Sequence, residues 1–182
     1  MKLGNNVVSV CLMLFEMLLL APVFGQTSPS PLKPGDSLPP LSGQALTGKW
    51  LDIASVLGGS PAVVIFSFSR ASGRDAQLWT QRLMKDDPHM AIYTIIFLES
   101  VPVLFRAMAV SAIKDGMPTA LQNRTIILYQ DENLWKQRLQ VANERYACVT
   151  LLGQTGRVQW MTLEPFADAL YSEFSKSIRA LN

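Results

Sequence analysis

Residues 63–79 read VVIFSFSRASGRDAQLW, and the order of residue types within them decides the fold. The near-continuous apolar run from Ala62 to Phe68 has the composition of a strand buried on both faces. Ser69 to Gly73 then predicts a loop. From Arg74 to Lys85 the residues Ala76, Leu78, Trp79, Leu83 and Met84 gather on one side with Arg and Gln opposite. That pattern predicts an amphipathic helix, ended by Asp86-Asp87-Pro88. A thiol at such a helix start would be acidified by the helix dipole and the free N–H groups, which is why Cys-x-x-Cys pairs occur there. This stretch contains no cysteine.

Working outward, Met90 to Leu98 predicts a second buried strand. Pro102 to Asp115 predicts a helix, with Pro102 suited to its first turn and Gly116 to its exit. A short strand at Thr125–Tyr129 and a helix at Asp131–Gln140 follow. Ala147–Leu152 and Val158–Leu163 predict strands joined by the Gly153–Gly156 turn, and Phe166–Leu181 predicts a closing helix. Upstream, Leu41–Leu57 suits a small β-hairpin and a helical turn. The fold class is therefore α/β, a three-layer sandwich with a central mixed sheet and helices on both faces.

A chain of 182 residues has room for one domain and a leader. Residues 1–25 carry Lys2, an apolar run from Val7 to Leu20 interrupted by Glu16, and small residues around a cut after Gly25. This predicts a signal peptide or an uncleaved N-terminal anchor, and an exported domain, periplasmic or secreted, tethered to the membrane if the leader stays. Mitochondrial import is the alternative, although no arginine precedes Arg70. Residues 26–40 are dense in Pro and Ser and predict a flexible tether, leaving residues 41–182 as the folded domain. A net charge of +2 gives no argument for nucleic acid. Beyond the leader the only cysteine is Cys148, so the domain cannot form an internal disulfide.

Residues 34–50, PGDSLPPLSGQALTGKW, resemble the opening of thioredoxin-like redoxins, and residues 146–174 are similar to the strand, turn, strand and helix that end that fold. A narrower similarity is to the thioredoxin-like family of ATP-synthase assembly factors called ATPase complex subunit ten. Arg157-Val158-Gln159-Trp160 matches its returning-strand motif, Trp79 its tryptophan after the central strand, and Lys114-Asp115-Gly116-Met117-Pro118 its helix exit. The resemblance covers roughly Pro34 to Leu181 and implies a thioredoxin-like fold. It also implies a role in assembling the membrane sector of ATP synthase, with no required dithiol.

Alignment of the central strand puts the two dithiol positions near Gly73 and Ala76, neither of which can be a nucleophile. The proline that faces the dithiol in thioredoxins should precede the fourth strand, where this chain has Tyr146-Ala147-Cys148. A dithiol oxidoreductase is not expected. Cys148 has two readings, a small buried strand residue or a single thiol that acts through a mixed disulfide. Arg70 and Arg74, beside the helix start, are candidates for holding an anion or are simply solvated. His89 with Asp86 and Asp87 is a poor metal set, since it is the only histidine, and no metal or cofactor is expected. Asn123-Arg124-Thr125 is a glycosylation sequon with meaning only in a secretory pathway.

In the helix from Pro102 to Asp115, the residues Val103, Leu104, Phe105, Met108 and Ile113, with Ala107 and Val110, wrap most of the surface in apolar side chains. Such a helix is either buried under loops or has a second apolar face for a protein partner, a membrane subunit among the candidates. Trp50, Trp135 and Trp160 are expected to serve packing. The functional expectation is a non-catalytic binding or assembly factor working through this helix. The alternative is a monothiol oxidoreductase working through Cys148.

Overall fold

The structure, a computed structural model, describes residues 29–57 and 59–181. The elements run β1 Ser42–Ala45, β2 Trp50–Asp52, α1 Ile53–Val56, β3 Ala62–Ser67, α2 Arg70–Asp86, β4 Ala91–Phe97, α3 Val103–Asp115, α4 Thr119–Gln122, β5 Thr125–Leu128, α5 Glu132–Arg138, β6 Cys148–Leu152, β7 Val158–Thr162 and α6 Asp168–Arg179. They build one sheet in the order β2-β1-β5-β4-β3-β6-β7.

The apolar run that predicted a doubly covered strand is β3, all of whose residues are buried. It lies between β4, parallel to it, and β6, antiparallel to it. Because side chains alternate along a strand, each strand feeds two cores. Val64 and Phe66 point to the face closed by Trp135 and Leu139, with Ile53, Leu57 and Leu32 around them. Val63 and Ile65 point to the face closed by α2 and α6, where Trp79, Leu83, Tyr171 and Phe174 pack. A smaller cluster of Leu46, Leu98 and Ile127 lies under α3. The successive crossovers β3-α2-β4 and β4-α3-β5 are expected to keep one hand, which sets α2 and α3 on the same face. Gly43 of β1 is required by contact: a Cβ there would lie 2.5 Å from Ile126 Cγ2.

Two segments differ from the sequence reading. The expected loop at 69–73 is the first turn of α2, which begins at Arg70 under the N-cap Ser69. The tether expected at 26–40 is, in its described part, fastened to the domain. Leu32 is buried and its N–H donates to Arg138 O at 2.7 Å. Gly35 N donates to Val158 O, Val158 N donates to Asp36 O, and Arg157 Nη1 donates to Gly35 O at 2.7 Å. These bonds cover part of the open edge of β7, which would otherwise leave its backbone groups unpaired. The leader and its cleavage lie outside the described residues. The four-residue helix α4 was not anticipated, and Pro118, its N-cap, is the signal for it.

One carboxylate fastens the two halves of the domain. Asp75, buried in α2, accepts Ala147 N at 3.0 Å with Oδ2 and Phe166 N at 2.9 Å with Oδ1. It thus fixes both the start of β6 and the approach to α6. One turn later Trp79 is fully buried among Phe166, Tyr171, Phe174 and Trp160, at ring-centroid distances of 5.3 to 6.1 Å. Replacing Asp75 with Ala strands one buried and one half-buried donor and is expected to cost about 3 kcal/mol. The urea midpoint measured by far-UV circular dichroism should fall accordingly, with an unchanged slope.

Candidate functional site

The pole of the sheet at the α2 N-terminus is where thiol chemistry would sit. Ser69 and Ser72 occupy it, with the spacing of a Cys-x-x-Cys pair, and they close on each other as a capping box. Ser69 Oγ accepts Ser72 N at 3.1 Å. Ser72 Oγ accepts Phe68 N at 3.0 Å and Ser69 N at 2.9 Å, and donates to Ser69 O at 3.1 Å. Ser69 Oγ also donates to Glu144 O, in the segment where a thioredoxin would carry its proline. Both hydroxyls are therefore committed within the fold. Gly73 and Ala76, near which strand alignment put the dithiol positions, lie inside α2, the first of them one turn past the N-cap Ser69, because the helix starts earlier than its apolar periodicity does. The Ser-x-x-Ser spacing just after an apolar run was the available signal.

The same pole is braced by charge. Lys136 Nζ lies 2.7 Å from both Glu132 Oε1 and Glu144 Oε1, and 5.8 Å from the Phe68 ring centroid. Ser100 N donates to Glu132 Oε2 at 3.0 Å, and Glu132 N donates to Glu99 Oε2 at 2.7 Å. Burial pushes the Glu132 carboxyl up, but the bonds from Lys136 and Ser100 outweigh it and hold the group below the usual carboxylate range. The Glu132-to-Lys136 spacing was readable as a helical pair. The arrival of Glu144 depends on tertiary folding.

Cys148 opens β6 on the face opposite α2, in the core with Phe66 and Trp135. It is fully buried, and burial pushes its thiol up to about 12, despite the contact with Thr150 Oγ1 at 3.9 Å. There is no cis peptide among the described residues, so Tyr146-Ala147-Cys148 does not copy the thioredoxin proline turn. Arg70 and Arg74 stand exposed on successive turns of α2, and neither forms an ion pair among the described residues. His89 is exposed, and among the described residues no three His, Cys, Asp or Glu side chains converge as a metal site.

The three motif residues have structural partners. Trp79 is the core residue described above, Arg157 holds the N-terminal segment, and Trp160 packs against Phe174 at 5.0 Å. Trp50, expected in core or edge packing, lies on the edge strand and is 68% exposed.

Helix α3 is the second candidate site. None of its residues is buried. Val103, Leu104 and Met108 are 77%, 85% and 67% exposed, and Phe105 is 49% exposed. The expectation for Ile113 is corrected: it packs inward with Ala109 and Val110 on Leu46, Leu98 and Ile127. The helical period separates these three from Leu104 and Met108 by about half a turn. Arg106 also turns toward the domain, donating to Val101 O at 2.9 Å and Glu99 O at 3.0 Å. The outer face is apolar and uncovered over its first two turns and continues through the exposed Ser111 and Asp115.

Two measurements test this site. Cys148 should resist alkylation by iodoacetamide at pH 8 in the folded protein and react at an ordinary thiol rate in guanidinium. Glu132 has a lowered folded pKa, so its contribution is full above the unfolded value of about 4.3 and is lost as pH falls through the folded value. Glu132→Gln should therefore cost about 2 kcal/mol at pH 7, and the gap from the parent should close on acidification below about pH 4.

Comparison with solved structures identifies a thioredoxin-like fold. A putative thiol:disulfide interchange protein DsbE from Chlorobium tepidum is similar at a TM-score of 0.58 and 15% identity, over 82% of this chain and 98% of that one. The thioredoxin domain of a thiol-disulfide oxidoreductase from Bacteroides vulgatus gives 0.59 and 16%, over 83% and 99%. A Sco-family cytochrome c oxidase assembly protein gives 0.55 and 13%, over 80% and 97%. No curated protein matches the sequence. A profile of the ATP10 protein family matches residues 33–181, from the fastened N-terminal segment to the end of α6, and the chain belongs to that family.

Proposed function

We propose that this chain is an assembly factor for ATP synthase that acts by surface contact through the outer face of α3, and not by thiol exchange. The observation that carries this reading is the helix itself, which has a packed apolar face and a second, exposed one. Exposed Leu and Met at these fractions have no role in holding the domain, and contiguous apolar surface of this kind marks interaction sites. Membership of the ATP10 family supports the assembly role and the choice of ATP synthase as the complex. It also favours the mitochondrion as the compartment, the alternative raised by the sequence. Among the described residues no helix is long and apolar enough to cross a membrane. Contact with a membrane subunit through them would therefore be a surface contact.

The absence of thiol chemistry rests on the pole of α2. Serines hold the positions a dithiol would need, and their hydroxyls are spent on backbone groups. The competing monothiol reading requires Cys148 to reach a substrate, and the residue is wholly buried with its thiol raised to about 12.

The test is complementation. In cells lacking the protein, a Phe105→Gln, Met108→Gln double variant should lower assembled ATP synthase on native gels at least about tenfold, as loss of one hot-spot residue does. Its thermal midpoint should stay at the parent's value. Cys148→Ser should restore assembly fully. Full rescue by the double variant with failure of Cys148→Ser would instead support the thiol reading.

A further inference from the structure

We infer that Arg106, Glu132 and Glu99 are positioning residues of the α3 contact face. They stand in for the caps that α3 and α5 lack, and they hold the first two turns of α3 to the closed pole of α2. This rests on the reading of α3 as the contact face.

Packing alone does not fix those turns. The α3 residues that pack on Leu46, Leu98 and Ile127 are Ala109, Val110 and Ile113, all from the middle of the helix onward. The exposed crest of Val103, Leu104, Phe105 and Met108 comes before them. No side chain caps this end of the helix, where the N-cap residue is Pro102. A helix start without a cap leaves N–H groups unpaired and frays.

The ties come from outside. Arg106 donates to Val101 O from Nε and to Glu99 O from Nη2, and its guanidinium lies 5.1 Å from the Tyr129 ring centroid. It therefore grips the loop before α3 and the loop before α5 together. Helix α5 also starts uncapped, for its N-cap Asp131 sits at φ 62° with no side-chain bond. Glu99 supplies the missing acceptor by taking Glu132 N, and Glu132 returns the bond by taking Ser100 N. The other Glu132 oxygen takes Lys136 Nζ, which also bonds Glu144, and Glu144 O accepts Ser69 Oγ. A run of bonds thus leads from the N-cap of α2 to the loop that carries α3.

This arrangement suits a docking face. The clamp fixes the backbone beneath Val103 to Met108 and leaves their side chains uncovered. A face that is ordered before contact loses less conformational entropy on binding.

Two measurements on the full chain test this together: hydrogen exchange read peptide by peptide by mass spectrometry, and ATP-synthase assembly on native gels in cells lacking the protein. Arg106→Met keeps the apolar stem and removes the donors. It should speed exchange at residues 103–108 at least about tenfold and leave β3 unchanged. Assembly should fall roughly tenfold, the cost of ordering one or two side chains on contact. Glu132→Ala should speed the same amides. Asp75→Ala, which weakens the domain as a whole, should leave them at the parent's rate. Adding Pro102→Ser to Arg106→Met gives α3 a cap of its own and should restore both slow exchange and assembly.

Parent-like exchange in Arg106→Met or Glu132→Ala overturns the inference, as does equal loosening by Asp75→Ala. Pro102→Ser that restores exchange without assembly also overturns it, since Arg106 would then act on the partner directly. Should exchange respond as expected while the Phe105→Gln, Met108→Gln chain assembles ATP synthase normally, the contact reading fails and the clamp stands. Should that chain fail while Arg106→Met exchanges like the parent, the clamp fails and the contact reading stands.

Discussion

Asp75 accepts two backbone N–H groups that lie far apart in sequence, Ala147 and Phe166, and from that pair the rest of the domain takes its alignment. The first brings β6 to the correct height beside β3, and the second turns the chain toward α6. A buried carboxylate is tolerated only when hydrogen bonds replace its water, and here two charge-assisted bonds do so. Trp79, one turn along the same helix, then meets its aromatic neighbours because the chain has already been placed. Helix α2 thus organises the domain from its buried side.

At its N-terminus the same helix has become a structural joint. The dipole that would favour a thiolate is still there, but the N–H groups of Ser69 and Ser72 are bonded to serine hydroxyls. Through Glu144 O, Ser69 also holds the neighbouring segment, and Lys136 grips Glu144 from the other side. The result is a pole tied shut. Cys148 lies away from this pole, because strand alternation sends it to the opposite core.

With that pole closed, the unusual surface of the molecule lies along α3. Helix α3 covers a small cluster with one face and shows Leu104 and Met108 on the other. Hairpin β1–β2 adds Trp50 beside it, because a short edge strand leaves its outward side chain uncovered.

Much of this was legible in the sequence, because it depended on local pattern. The uninterrupted apolar run of β3 dictated a strand covered on both faces, and periodicity gave α2, α3 and α6 and hence the sandwich. The lack of cysteine at the helix start was legible there, and so was the all-round apolar character of Val103 to Ile113. Tertiary structure decided what local pattern cannot encode. Only the folded chain shows that Ser69 opens α2, since a cap is defined by the backbone it bonds. Leu32 and Gly35 are fixed, against the look of their Pro/Ser-rich surroundings, because their partners at Arg138 and Val158 are over a hundred residues away. The two faces of α3 were equally apolar as sequence. Which of them met the sheet, taking Ile113 inward and leaving Leu104 in water, depended on where β5 and β1 had come to lie.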